Sequence, residues 1–222
     1  MKKFILPLLL LLAIGMLAAV ESDPSAVVGY VKYDCVVAAT GSNNLIALPM
    51  DTGYTMASDL GDAYPGVITA ITQWVPSTQT WSAASFNGTS WFGDFALAPS
   101  MSYMVTVTEA VSVYSIGDMF APATYNLVSV ANGSNNLIMV PLNESGLATA
   151  SALGTDIGVA NAVSTWLPAS QTWSAASYNG TSWFGEFDIS IATPLMVTVT
   201  ENTSWGAAAT KTAPSYNSRS RK

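Results

Sequence analysis

Three aromatic side chains and an acid recur as a set. Trp74, Trp81, Phe92 and Asp94 reappear as Trp166, Trp173, Phe184 and Glu186, each 92 residues further on. Ring faces of this kind can stack on the C–H face of a pyranose while a neighbouring carboxylate takes its hydroxyls. The same rings could instead pack beneath a helix or against a neighbouring module, because a tryptophan is costly to leave in water. Residue types alone leave both uses open.

Other chemistry is narrowed by what the chain lacks. With His 0 in 222 residues, His-based triads, His general bases and His-ligated zinc are all excluded. The acids repeated at the 92-residue interval are Asp94 with Glu186 and Glu109 with Glu201. A glycosidase needs two carboxylates in one cleft, and Glu109 closes a strand where it is expected to face solvent, so the expectation is a protein that is not an enzyme. No Asp-x-Asp-x-Asp loop is present to gather a calcium ion, and neither a metal nor a cofactor is expected. Cys35 is the single cysteine, so no intrachain disulfide forms; it stands where the second repeat has Leu127, the setting of a small buried hydrophobe.

The elements that must position these residues are repeated too. The 92-residue interval also links Gly41 to Gly133, Pro49 to Pro141 and Glu109 to Glu201, which divides the chain into modules at about 29–120 and 121–212. Each is long enough to bury its own core, unlike the short units of a solenoid. "NLIALP" with "NLIMVP" and "YMVTVTE" with "LMVTVTE" read as strands, and only "TMASDLGDAY" and "ATASALGTD" suggest a helix, a short one. The fold class expected is mostly β: two similar small antiparallel β modules, sandwich- or barrel-like, each with one short helix.

Turn chemistry sets a register. Pro76 suits the first central position of a type I turn, and a four-residue loop "PSTQ" places Val75 opposite Thr80 and Trp74 opposite Trp81. Asn87-Gly88 and Asn179-Gly180 suit a type I′ turn, which would place Ala84 opposite Trp91 and Trp81 opposite Asp94. Alternation then assigns Val75, Ala84, Phe86, Trp91, Phe95 and Leu97 to a core face. Thr72, Trp74, Trp81, Phe92 and Asp94 fall on the other.

The ends of the chain bear on compartment. "MKKFILPLLLLLAIGMLAAVESD" has two lysines, an apolar run and a small-residue exit, and reads as a secretory signal peptide over residues 1–22, with an uncleaved anchor as the rival reading. The net charge is −7, and no Lys or Arg lies between Lys32 and Lys211, so nucleic acid is not an expected partner. After signal cleavage no membrane association is expected. In the tail, 213–222, "APSYN" echoes "APATYN" at the start of the second module and suggests the opening of a third.

The order "NLIALP", short helix, "QWVPSTQTW", "MSYMVTVTE" resembles the small β-rich modules that recur in tandem in secreted and surface multidomain proteins of bacteria. That resemblance implies compartment and architecture and brings no catalytic residue with it. The function expected is a secreted or cell-surface, non-enzymatic tandem-repeat protein with a structural or adhesive role. The alternative is a carbohydrate-binding protein using the aromatic face of each module, with polysaccharide or other surface proteins as partners.

Overall fold

A computed structural model describes residues 29–206 apart from residue 122; the signal segment and the tail lie outside the described residues. In chain order the first module holds β1 (Gly29–Cys35), β2 (Asn43–Ala47), β3 (Met50–Asp51), α1 (Ala57–Asp62), β4 (Ile68–Val75), β5 (Thr80–Phe86), β6 (Trp91–Phe92), β7 (Ser102–Val107) and β8 (Val111–Met119). The second holds β9 (Thr124–Leu127), β10 (Asn135–Met139), α2 (Ala150–Ile157), β11 (Ala160–Leu167), β12 (Thr172–Tyr178), β13 (Trp183–Phe184), β14 (Pro194–Val199) and β15 (Thr203–Gly206). The protein is mostly β, with antiparallel sheets and one short helix per module, as the strand and helix signals lead one to expect.

Each module is built on a five-stranded antiparallel sheet, in the order β2-β7-β4-β5-β6 in the first and β10-β14-β11-β12-β13 in the second. A smaller sheet covers the core side, β1-β8-β3 in the first module and β9 with β15 in the second. The apolar strands explain the layering. Ile46, Ile71, Ala84, Val105 and Val113 of module 1 are buried together with Ala57 and Leu60 of α1. Ile138, Val163, Ala176, Val197 and Leu153 do the same in module 2. Cys35 and Leu127 sit at matching core positions, each 2% exposed.

The "PSTQ" register is as expected: Val75 pairs with Thr80, Trp74 with Trp81, and in module 2 Trp166 with Trp173. Thr78 N–H and Gln79 N–H both donate to Val75 O, which closes the loop. The Asn-Gly hairpin differs by one position from the type I′ expectation. Asn87 keeps a negative φ and uses its side chain instead, Oδ1 accepting from Thr89 N and Ser90 N at 2.9 Å each. Gly88, at φ 96°, becomes the first central residue, the place a type II′ turn reserves for glycine. The pairs are therefore Phe86 with Trp91 and Ser85 with Phe92, two residues away from the expected register. A shift of two leaves each side chain on its expected face, and Trp91, Phe95 and Leu97 do pack on the core.

Asp94 is the exception to the expected faces. Gly93, at φ 69°, lies so close to Ala83 O that no side chain fits there, and its left-handed conformation ends the alternation after Phe92. Asp94 consequently turns to the helix side of the sheet. Gly185 does the same for Glu186.

Candidate functional site at the face between the modules

The tryptophan face is where the modules meet. Leu45, Met104, Leu137 and Met196 form a buried cluster flanked by Trp74 and Trp166, each member matched by its equivalent 92 residues away. Trp74 Nε1 donates to Asn135 O and Trp166 Nε1 to Asn43 O, both at 2.8 Å. The contact is reciprocal, residue for residue, which is the signature of an isologous, two-fold interface. Here it lies inside one chain.

Two glutamines complete the clamp. Gln79 Oε1 accepts from Asn135 N at 2.8 Å, and its Nε2 donates to Asn135 O at 3.0 Å and to Pro76 O at 2.7 Å. Gln171 repeats this on Asn43, with Oε1 accepting from Asn43 N at 2.9 Å and Nε2 donating to Asn43 O at 2.9 Å. The glutamine amide thus mimics a neighbouring strand. It satisfies the outermost residue of β10 or β2, both edge strands whose unpaired backbone groups would otherwise invite association. Gln79 and Gln171 hold φ of 56° and 55°, an uncommon conformation for a non-glycine residue, and it aims the amide at the partner module. Gly41 and Gly133 leave the space in which those amides lie.

Tyrosines tie the far side. Tyr33 Oη donates to Ala192 O at 2.8 Å and Tyr125 Oη to Ser100 O at 2.6 Å, again equivalent pairs. Burial raises the pKa of both phenols, so they stay protonated and able to donate. Ser102 Oγ adds a bond to Ile138 O at 2.8 Å, on the same edge strand that Gln79 covers.

The candidate binding residues are distributed over three environments. Trp74 and Trp166 are half-buried in the clamp. Trp81 and Trp173 pack edge-on against them, with ring centroids 5.1 and 5.3 Å apart and planes at 69° and 68°, so neither pair forms a coplanar platform. They remain 40% and 38% exposed and together line two small clefts between the modules, of about 240 and 280 Å³. Phe92 and Phe184 share the sheet face of Trp81 and Trp173, on the strand beyond, and are each 58% exposed.

Asp94 and Glu186 lie on the opposite side of the sheet from Trp81 and Trp173, which corrects the expected pairing of Trp81 with Asp94. Asp94 accepts from Ser58 N at 3.0 Å and Ser58 Oγ at 2.6 Å; Glu186 accepts from Ser151 N at 3.0 Å. These are first-turn N–H groups of α1 and α2, which a helix cannot satisfy internally. Burial works to raise the Glu186 pKa, but hydrogen bonds from Ser151 and from the Phe187 N–H outweigh it and hold the carboxyl below its ordinary value. Among the described residues no group of three His, Cys, Asp or Glu side chains is placed to hold a metal ion, and no helix is long and apolar enough to cross a membrane.

Sequence reasoning placed Gln79 in a turn and Gly41 in the repeat, and assigned neither of them, nor Asn43, to a contact between modules. A signal was present: glutamine is not demanded by any turn type, yet it recurs with Asn43 and Gly41 at the 92-residue interval. Comparison of the chain with protein families, with curated proteins and with solved structures finds no match.

Proposed function

We propose that this protein is a secreted, non-enzymatic structural or adhesive component of an extracellular surface, with its two modules locked as one rigid unit. The observation that supports this most is the reciprocal clamp: Trp74, Gln79 and Asn43, with their repeats Trp166, Gln171 and Asn135, are engaged in holding the modules together. The repeated acid nearest the aromatic residues, Asp94 or Glu186, is engaged at a helix terminus. Neither set is left arranged for bond-breaking. The leader-like first 22 residues support the compartment.

The experiment has two parts. Intact source cells are treated with protease and the chain is followed by immunoblot, and a strain lacking it is assayed for attachment to surfaces and for envelope integrity. Loss of the protein from intact cells with an attachment or envelope defect in the deletion strain is the expected outcome. A chain protected until lysis, or a catalytic turnover found for the purified protein, overturns the reading.

A second reading, carbohydrate binding through the modules' aromatic face, is favoured by the exposure of Trp81, Trp173, Phe92 and Phe184. A glycan array probed with the parent and with the Trp81→Ala/Trp173→Ala protein tests it. Binding that the double variant loses while still folded supports this reading, and an array with no binding by the parent removes it.

A further inference from the structure

The two modules agree closely in sequence around their Asn-Gly hairpins, and several of the places where they disagree border one cavity in module 2. This cavity has a volume of about 620 Å³ and is walled by Tyr178 and Trp183, by Asn161 and by the hydroxyl-bearing Thr155, Thr181 and Thr200. Its volume falls in the usual range for small-molecule sites.

Asn161 is the extra residue of a β-bulge in β11, between the Ala160–Val199 and Ala162–Thr198 pairs. A bulge re-aims the side chain it carries. Asn161 Oδ1 is buried and has no hydrogen-bond partner among the described residues. Module 1 has the same bulge between Ile68 and Ala70, but Thr69 occupies it, and its hydroxyl is taken by Thr106 O at 3.4 Å.

The indole tells the same story. Trp91 of module 1 donates Nε1–H to Asp62 Oδ1 at 2.8 Å. In module 2 the stretch that follows the helix glycine is one residue shorter, Thr155–Ile157 at the end of α2, where module 1 has Asp62–Pro65 before the next glycine. Asp156 accepts from Trp205 Nε1 at 2.8 Å instead, and Trp183 Nε1–H has no acceptor among the described residues. Tyr178, which replaces Phe86, lies 5.5 Å from Trp183 between ring centroids and adds a phenol to the wall.

We propose that this cavity is a binding site for a neutral, hydroxyl-rich ring, a carbohydrate residue, and that it belongs to module 2 alone. The chemistry of the wall selects that class. No charged side chain lines the cavity, so an ionic ligand would be desolvated without compensation. A purely apolar ligand would cover the Trp183 N–H and leave the buried Asn161 carbonyl unpartnered, a cost that discriminates between ligands. A sugar hydroxyl both donates and accepts, and so satisfies each of them. The C–H face of the ring finds the indole and phenol faces. This site is separate from the inter-module clefts at Trp81 and Trp173, and either can fail without the other.

The test uses the full chain with ¹⁵N-labelled tryptophan, in which each of the 7 tryptophans reports through its own indole N–H signal. Maltotriose, cellotriose and chitotriose are titrated separately to millimolar concentration. The expected result is a saturable shift of the Trp183 signal by at least one trisaccharide, with the Trp91 signal unmoved. In Asn161→Thr, which restores the module 1 residue and keeps the bulge, affinity falls at least about tenfold, as for loss of a buried hydrogen-bond partner. Absence of a Trp183 shift with all three sugars overturns the proposal, as does equal movement of Trp91, or undiminished affinity in a folded Asn161→Thr protein. Shifts confined to Trp81 and Trp173 would support the clefts between the modules and overturn the module 2 site.

Discussion

Replacing Gln79 isolates the clamp from the two cores. In Gln79→Ala the Asn135 N–H loses its acceptor, Asn135 O keeps Trp74 alone, and Pro76 O loses its donor. A stranded, partly buried N–H costs about 1–3 kcal/mol, and this one is half-open to solvent, so the expected loss is about 2 kcal/mol. At roughly 2–4 °C per kcal/mol for a chain of this size, the melting temperature should fall by about 4–8 °C. Gln79→Gly provides the internal control. It removes the same amide but relieves the positive φ of 56°, so it should be about 1 kcal/mol more stable than the alanine variant. Thermal unfolding followed by calorimetry and by tryptophan fluorescence measures both. Gln171→Ala should reproduce Gln79→Ala, because its partners are the same atoms of Asn43. A Gln79→Ala protein that melts with the parent would refute the clamp as a source of stability. A glycine variant no better than alanine would refute the account of the backbone.

Three further outcomes follow from the same geometry. Trp74→Ala, which removes a clamped ring and its bond to Asn135, should cost about 3–5 kcal/mol in chemical denaturation; Trp81→Ala, which removes a half-exposed ring and one edge-on contact, should cost about 1–2 kcal/mol. Glu186 has a depressed pKa, so its contribution is present above the ordinary carboxylate range and is lost as pH falls through the lowered value; the melting temperature of Glu186→Gln should therefore fall less than that of the parent between neutral and strongly acid pH. Burial pushes the Cys35 thiol up to about 12, so Ellman's reagent at mildly alkaline pH should label it only as fast as the protein opens, and immediate labelling of the folded chain would contradict its core position.

Much of the strand pairing was legible because turn residues carry their geometry with them. Pro76 and a four-residue loop were enough to place Trp74 opposite Trp81, and a core Cys35 followed from Leu127 at the equivalent position. The Asn-Gly turn was legible as a hairpin but not as a type, because Asn87 can serve either through its backbone, at positive φ, or through its side chain, and composition does not decide between them. Asp94 was misplaced for a related reason. Strict alternation predicts its face, and a single glycine at a close approach overrides alternation. The clamp was the least legible feature, since it depends on Gln79 and Asn135, which are 56 residues apart and are brought together only when the modules dock.

The way the modules dock limits what a longer assembly could do. Each module offers Trp74 or Trp166 with Gln79 or Gln171 on one element and Asn43 or Asn135 on another, and in the pair both offers are taken. An isologous contact closes on itself and leaves no copy of the clamp for a third module. Contact with another molecule must therefore use surface outside the clamp, where Phe92, Phe184, Tyr30 and Ile116 are exposed, or places where the modules differ. The matched residues account for the pairing because the two-fold arrangement requires both halves to supply them. The unmatched ones, Asn161 against Thr69 and Tyr178 against Phe86, are under no such requirement. That is the physical reason to look for a ligand at the asymmetric cavity rather than in the repeated motif that first draws the eye.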